Sequence, residues 1–404
     1  MVPAVSSYMD EARETEKTTS QVDRVPPVSF PFLDLTGQFS IIEEEVMTAI
    51  TRVMKTQNFI LGEEVKQFEE EVAAYIGADF AVGCASGSDA LYLALLALEI
   101  GPGDEVITTP FTFVATAGAI TRVGATPVFA DIDPAALNID PVQIKLRITQ
   151  KTKAIIPVHL FGLPADMDAL SEIGHNHGLP IIEDAAQAIG AKYHGRPIGT
   201  IGSMGCLSFF PSKNLGGAGD GGMVTTNDVA LAKRLRVLRV HGSDRKYHYQ
   251  VLGTNSRLDA LQASILRVKL KHLINWTKAR QERAVRYRKL FEDLGVDAFV
   301  QLPMESATCV HVYNQFVVRC PERDHLKEYL RRCSIPTEIY YPAPLHLQPA
   351  FNYLEYKEGQ LPGAETASRE VLALPIYPEL TAEQQLAVVR SIAAFYQLNS
   401  KGVR

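Results

Sequence analysis

Residues 180–193 read PIIEDAAQAIGAKY, and residues 202–228 read GSMGCLSFFPSKNLGGAGDGGMVTTND. Each contains a short apolar run of strand character that ends in polar residues. Residues 180–182 run into Glu183-Asp184, and residues 206–210 run into Pro211-Ser212-Lys213, with five glycines following between 216 and 222. Open α/β sheets bind ligands beyond the C-terminal ends of their strands. An acid ending one buried strand and a lysine beyond another therefore predict a charged site at one sheet edge.

The chain on either side fits such a sheet. Short β-branched or apolar runs at 80–83, 105–109, 127–130, 154–158, 180–182, 206–210 and 223–226 alternate with helical stretches. That alternation predicts an α/β fold with a mostly parallel seven-stranded sheet sandwiched by helices. Upstream, Ile41, Val46, Ile50 and Val53, then Val65, Phe68, Val72 and Tyr75, keep helical spacing. Downstream, a long helical pattern runs from Leu258 through Trp276 towards Leu294 and bridges to a second unit. That unit is expected to hold a strand at 311–319, a helix at 324–332, a loop at 339–347 and a terminal helix from 381 to about 398. The predicted division is a flexible polar extension over 1–29, a large α/β domain over 30–275 and a small α+β domain over 276–404.

Composition narrows the partners. A chain of 404 residues with 46% hydrophobic and 21% charged residues is an ordinary globular protein with room for two domains. A net charge of −6 offers no general positive field for nucleic acid or an anionic membrane. Cysteines 84, 206, 309, 320 and 333 are scattered without a CxxC pair, which predicts reduced thiols and no metal site. The N-terminus lacks the basic-then-apolar order of a signal peptide, and no run is long enough to span a membrane. A cytoplasmic location is expected.

A lone lysine is most often a solvated surface group. Lys213, however, lies between an apolar strand and a glycine loop that lets backbone approach a ligand. Burial weakens a lysine's preference for its charged form, and a neutral amine attacks a carbonyl to form a Schiff base. Pyridoxal phosphate chemistry needs that amine, a carboxylate to keep the pyridine nitrogen protonated, and an anion site for the phosphate. Gly87-Ser88-Asp89, between a strand and the helical run 90–98, is either a helix cap or a phosphate cup at a helix N-terminus. Ser208 can add a hydroxyl from a neighbouring strand. Phe113, in TPFTFVAT (109–116), either packs in the core or faces a pyridine ring. Asp184 either caps a helix at 185–189, forms a salt bridge, or pairs with a pyridinium. Gln187 would share its face of that helix and donate to a ring oxygen. Anion cup, aromatic, acid and lysine follow in that order, each at the end of a different strand. The combination is what points to this cofactor.

The motifs ASGSDAL (85–91), PFTFVAT (110–116), EDAAQAIGA (183–191), SFFPSKNLGGAGDGG (208–222), GTNSRLDALQA (253–263) and YYPAPLH (340–346) make the chain resemble the DegT/DnrJ/StrS sugar aminotransferases, from about residue 32 to 398. The resemblance implies a fold type I pyridoxal phosphate enzyme. It implies that Lys213 forms the Schiff base, Asp184 pairs with the pyridine nitrogen, Gln187 contacts the ring hydroxyl and Phe113 stacks on the ring. It places Gly87, Ser88 and Ser208 on the phosphate. Asn255 would reach the phosphate of the neighbouring subunit's cofactor, making a homodimer with shared sites the active unit. Tyr341, His346 and His241 would lie near the sugar. Many relatives carry Glu where this chain has Asp220, a conservative departure. The implied reaction takes an amino group, by analogy from L-glutamate, through pyridoxamine phosphate to a keto group of a nucleotide-linked sugar, in amino-sugar or polysaccharide biosynthesis.

Rival readings have discriminating features. A dehydratase branch of the family replaces the Schiff-base lysine with histidine, whereas Lys213 is present here. A cofactor-binding sensor need not keep a proton-transfer base. A phosphate-cradling nucleotide enzyme would show GxxxxGK[ST], which is missing, and the glycines here follow the lysine. The basic stretch 234–245 (RLRVLRVHGSDR) is either a solvated face or, through Arg239 and Arg245, a hold on a sugar nucleotide's diphosphate.

Overall fold

The computed structural model describes residues 29–401, and the side chains of 398–401 are left aside. The expected extension over 1–29 lies, but for its last residue, outside the described residues.

Two helices open the fold. The first, α1 (Leu35–Thr56), begins where the Asp34 carboxylate accepts the Gly37 N–H at 2.8 Å. Its inward stripe is Ile42, Val46, Ala49 and Val53, so the expected stripe was one residue off at its start: Ile41 is 69% exposed. The second, α2 (Glu63–Ile76), buries Val65, Phe68, Val72 and Ile76.

Seven strands follow: β1 (Phe80–Cys84), β2 (Glu105–Thr108), β3 (Thr126–Phe129), β4 (Thr152–Ile156), β5 (Ile182–Asp184), β6 (Met204–Ser208) and β7 (Gly222–Thr226). Ladders β3-β2-β4 and β5-β6-β7-β1 are joined by bridges at Ile155–Ile181 and Val158–Asp184 into one sheet. The β2/β3, β2/β4 and β5/β6 pairs are parallel. Strand β7 runs antiparallel to both β6 and β1, because its link from β6 is the glycine loop with no crossover helix. The C-terminal ends of β1, β2, β5 and β6 therefore share one edge.

Side chains alternate across this sheet. Ile107, Ile155, Leu207 and Met223 enter a core with α2 and α5 (Met167–His177). Their chain neighbours Val106, Ile156, Cys206 and Val224 enter the opposite core with α3 (Gly87–Ala97) and α6 (Val229–Leu238). Helix α4 (Ala115–Arg122) follows β2.

Helix α7 (Ala260–Asp293) joins two units. Its Ala263, Leu266 and Leu273 pack in the sheet core, and its Ala284, Tyr287 and Phe291 pack in a second one. Buried Arg280 sits between, donating to the carbonyls of Tyr313 (3.2 Å) and Ile376 (2.7 Å); burial pushes it down to about 10. The second core gathers β8 (Phe316–Arg319), α8 (Arg323–Arg332), β9 (Val371–Leu374) and α9 (Ala382–Lys401). Phe30 packs there too, although it belongs by sequence to the other end of the chain. The expected strand over 311–319 is shortened, since 311–315 crosses to the sheet unit: Val312 N–H donates to Gly162 O (3.1 Å) and Gln315 N–H to Phe161 O (3.3 Å). Among the described residues no helix is long and apolar enough to cross a membrane.

Candidate active site

A cavity of about 630 Å³ opens over the shared strand edge. Gly87, Ser88, Phe113, Asp184, Gln187, Ser208, Lys213 and Tyr341 all line it. The predicted order of parts along the chain thus becomes a ring around one space.

The phosphate-cup reading gains from the cap. Ser86, not Ser88 or Asp89, caps α3 by accepting the Asp89 N–H at 3.1 Å. Gly87 and Ser88 therefore occupy the first helical positions, whose amides have no helical acceptor, and Ser88 keeps its hydroxyl for the cavity. Asp89 is drawn away to Arg122 at 2.6 Å. A Cβ on Gly87 would stand 2.6 Å from the Ser208 Cβ, so only glycine lets the helix start meet the end of β6. The neighbouring Gly222 is equally constrained, with a Cβ there 2.2 Å from the Ser86 carbonyl oxygen.

Phe113 is 56% exposed on the cavity while Phe111 beside it is fully buried, which excludes core packing for Phe113. Asp184 ends β5 with its carboxylate buried. Its Oδ2 accepts the Thr116 hydroxyl at 2.8 Å and its Oδ1 the Ala186 N–H at 3.2 Å. Burial raises the Asp184 carboxyl above its ordinary range, opposed by these donors and by Lys213.

The helix expected at 185–189 does not form. Ala185 N–H is held by Cys206 O at 2.9 Å, still in strand fashion, and turns follow. Gln187 reaches the cavity by this turn instead. Its Oε1 accepts the Phe161 N–H (2.6 Å), leaving the NH2 to donate to the Tyr341 hydroxyl (3.4 Å). Burial raises the Tyr341 hydroxyl above its ordinary value.

Lys213 follows the end of β6 on a turn closed by its own N–H on Phe210 O at 2.8 Å. Loss of solvent on burial lowers the amine to about 8, and the Asp184 carboxylate partly opposes that drop. Asn214 next to it binds the 311–315 crossing, donating to Val312 O (3.0 Å) and accepting from Asn314 (2.8 Å). Thr116, Asn314, Gln315, Tyr340 and Asp220 also line the cavity and were given no role from sequence. Thr116, Tyr340 and Asp220 lie inside motifs already quoted; Asn314 and Gln315 carried no local signal.

Other expected residues lie elsewhere. His346 is buried against Glu365 (3.1 Å) and does not line the cavity, although Tyr340 and Tyr341 of the same motif do. His241 is exposed on the loop before the hairpin of Ser243–Arg245 and His248–Tyr249, outside the lining. Asn255 is likewise exposed and outside its own chain's cavity. Arg239 cannot serve a diphosphate: it is buried, bonded to Glu69 and to Gly83 O (2.7 Å).

Residues 40–393 match the model of the DegT/DnrJ/EryC1/StrS aminotransferase family. The chain belongs to that family. Among its relatives, one from Geobacillus stearothermophilus named a pleiotropic regulatory protein is 54% identical, over 92% of this chain and 99% of that protein. One from Acidithiobacillus ferrooxidans, a UDP-N-acetyl-3-dehydro-alpha-D-glucosamine 3-aminotransferase, is 48% identical over 88% of this chain and 95% of its own length. The crystal structure of Streptomyces venezuelae DesV with a ketimine intermediate superposes with a TM-score of 0.88 at 45% identity, covering 91% of this chain and 98% of that one.

This DegT/DnrJ/EryC1/StrS member is a pyridoxal phosphate-dependent aminotransferase. Its cavity fits the cofactor on its own terms. It offers an amine, a buried carboxylate, an exposed aromatic face and a glycine cradle with free helical amides.

Proposed function

We propose that the protein transfers an amino group from an amino acid, L-glutamate by analogy, to a keto group of a nucleotide-linked sugar. The observation that carries this reading is the convergence of the Lys213 amine and the Asp184 carboxylate on one cavity beside the glycine cradle. Bound there, the cofactor supplies the aldehyde that accepts the amino group and the ring that takes up the electron pair. Lys213 Nζ would hold the cofactor's aldehyde and would serve as the base that moves the substrate's proton; an amine lowered to about 8 suits both tasks. Asp184 would hold the ring nitrogen's proton, Gln187 would direct its NH2 at the ring hydroxyl, and Phe113 would cover the ring. Gly87, Ser88 and Ser208 would hold the phosphate. Tyr341, on the same lining, would lie near the sugar.

Among the described residues, the cavity lining contains a single cation, Lys213, which the cofactor claims. Substrates carrying a diphosphate or two carboxylates need more positive charge than that. A homodimer would supply it through Arg245 on the exposed hairpin, close in the chain to exposed Asn255, whose neutral amide would reach the partner's cofactor phosphate.

A regulatory reading draws on the name of the Geobacillus relative. An intact amine, carboxylate and cradle favour catalysis, because a sensor has no use for a proton-transfer base. Borohydride reduction of the holoprotein followed by peptide mapping tests the assignment: label on Lys213 is expected, and label elsewhere would overturn it. Incubation with glutamate and a panel of keto-sugar nucleotides, read by mass spectrometry, tests the reaction. Cofactor binding without amine exchange would favour the regulatory reading.

A further inference from the structure

The connection from β2 to α4 and the first turn of α4 carry two hydroxyls that no part of the proposed reaction uses. Thr112 and Thr116 are 3% and 1% exposed, and their Oγ1 atoms lie 3.1 Å apart. Thr116 Oγ1 is 2.8 Å from Asp184 Oδ2 and 3.3 Å from the Phe113 carbonyl. A hydroxyl has one proton to give. The shorter bond to an ionised acceptor takes it, so Thr116 donates to Asp184 and Thr112 can donate to Thr116 in turn. Successive donors in such a chain polarise one another. Among the described residues, Thr116 is the side chain hydrogen-bonded to this carboxylate; the other donor is the Ala186 amide on Oδ1, at 3.2 Å.

We propose that Thr116, backed by Thr112, is a positioning residue that fixes the Asp184 carboxylate towards the cofactor's ring nitrogen and keeps the shared proton on that nitrogen. This rests on the reading that Asp184 faces the ring nitrogen. With Oδ2 anchored by Thr116 and Oδ1 by Ala186, each oxygen retains a lone pair and the carboxylate cannot swing. The donated bond also makes the carboxylate a weaker base. Without it the proton moves from ring nitrogen to Asp184 oxygen, the ring loses its positive charge, and its pull on electrons falls. The other titratable groups that act on Asp184 or feel its charge are Lys213 across the cavity, His159 behind the strand, Cys206 on β6 and Tyr341. None of them donates a hydrogen bond to it.

The test compares wild type with Thr116→Val, Thr116→Ser and Thr112→Val, each reconstituted with pyridoxal phosphate or with its 1-deaza analogue, whose ring carries carbon in place of nitrogen. Dissociation constants are measured by equilibrium dialysis, and the Schiff-base absorbance is titrated with pH. Losing a hydrogen bond to a charged group predicts roughly 10-fold weaker pyridoxal phosphate binding in Thr116→Val. Thr116→Ser should recover most of it, and Thr112→Val should lose less than Thr116→Val. The Schiff-base titration midpoint should rise in Thr116→Val, because a ring without its proton leaves the imine more basic. For the deaza analogue, wild type and Thr116→Val should bind alike. Equal weakening for both cofactors would make Thr116 a plain packing residue and overturn the proposal. Should wild type bind both cofactors equally well, the placement of Asp184 at the ring nitrogen is itself wrong. Thr112→Val gives the same comparison if Thr116→Val does not fold.

Discussion

In the proposed reaction Lys213 would act as a free amine, and its burial in the cavity is what favours that form. An exposed lysine titrates near 10.4, whereas burial lowers this one to about 8. In the apoprotein, reductive methylation of Lys213 followed across pH should show a midpoint near 8, below that of the surface lysines. A midpoint shared with the surface lysines would mean that the pocket does not tune it. Replacing Lys213 by Ala removes both the Schiff base and the proton carrier, and turnover should fall roughly 100- to 10,000-fold. Asp184 and Lys213 were legible because each ends a recognisable apolar run. The burial of His346 was not legible, for the converse reason. Its motif is visible in the chain, but its partner Glu365 becomes a neighbour only through folding.

At the scale of elements, the site depends on how closely the start of α3 approaches the end of β6. Gly87→Ala places a methyl 2.6 Å from the Ser208 Cβ. The helix start must then shift, and pyridoxal phosphate should bind at least about 10-fold more weakly in a dialysis titration while circular dichroism stays native. Arg239 supports the same sheet from behind, on Glu69 and the Gly83 carbonyl. Arg239→Ala leaves Glu69 as a buried charge without its partner and should cost about 3–5 kcal/mol in urea unfolding. The KM for the sugar nucleotide should not change; a raised KM would return Arg239 to the substrate site. Strand ends were legible because apolar runs stop where polar residues begin. The turn after β5 was not, since EDAAQA has good helical composition. There Ala188 N–H closes on Ala185 O and Ala191 N–H on Ala188 O, two short turns in place of a helical ladder.

The whole molecule divides along α7, which serves two cores with opposite halves of one helix. Its length was legible from spacing. The return of Phe30 to the second core and the crossing of 311–315 to the cavity were not, because both depend on contacts between distant parts of the chain. The proposed sharing of active sites between two subunits makes a prediction at this scale. Lys213→Ala and Asn255→Ala protomers, each inactive or nearly so alone, should regain activity when unfolded, mixed and refolded together. The mixed dimer then has one site with both residues intact. No recovery would place Asn255 in the service of its own subunit.

The central claim is that one cavity, built on Lys213 and Asp184, carries an amino group between two substrates. Its most direct measurement follows the Schiff-base absorbance of the holoprotein in two additions. L-Glutamate alone should abolish the band, with one equivalent of 2-oxoglutarate formed per site. A keto-sugar nucleotide added after removal of the amino acid should restore it, with one equivalent of amino sugar. A band that never responds to any amino donor, or that glutamate abolishes but no keto-sugar nucleotide restores, would contradict the account.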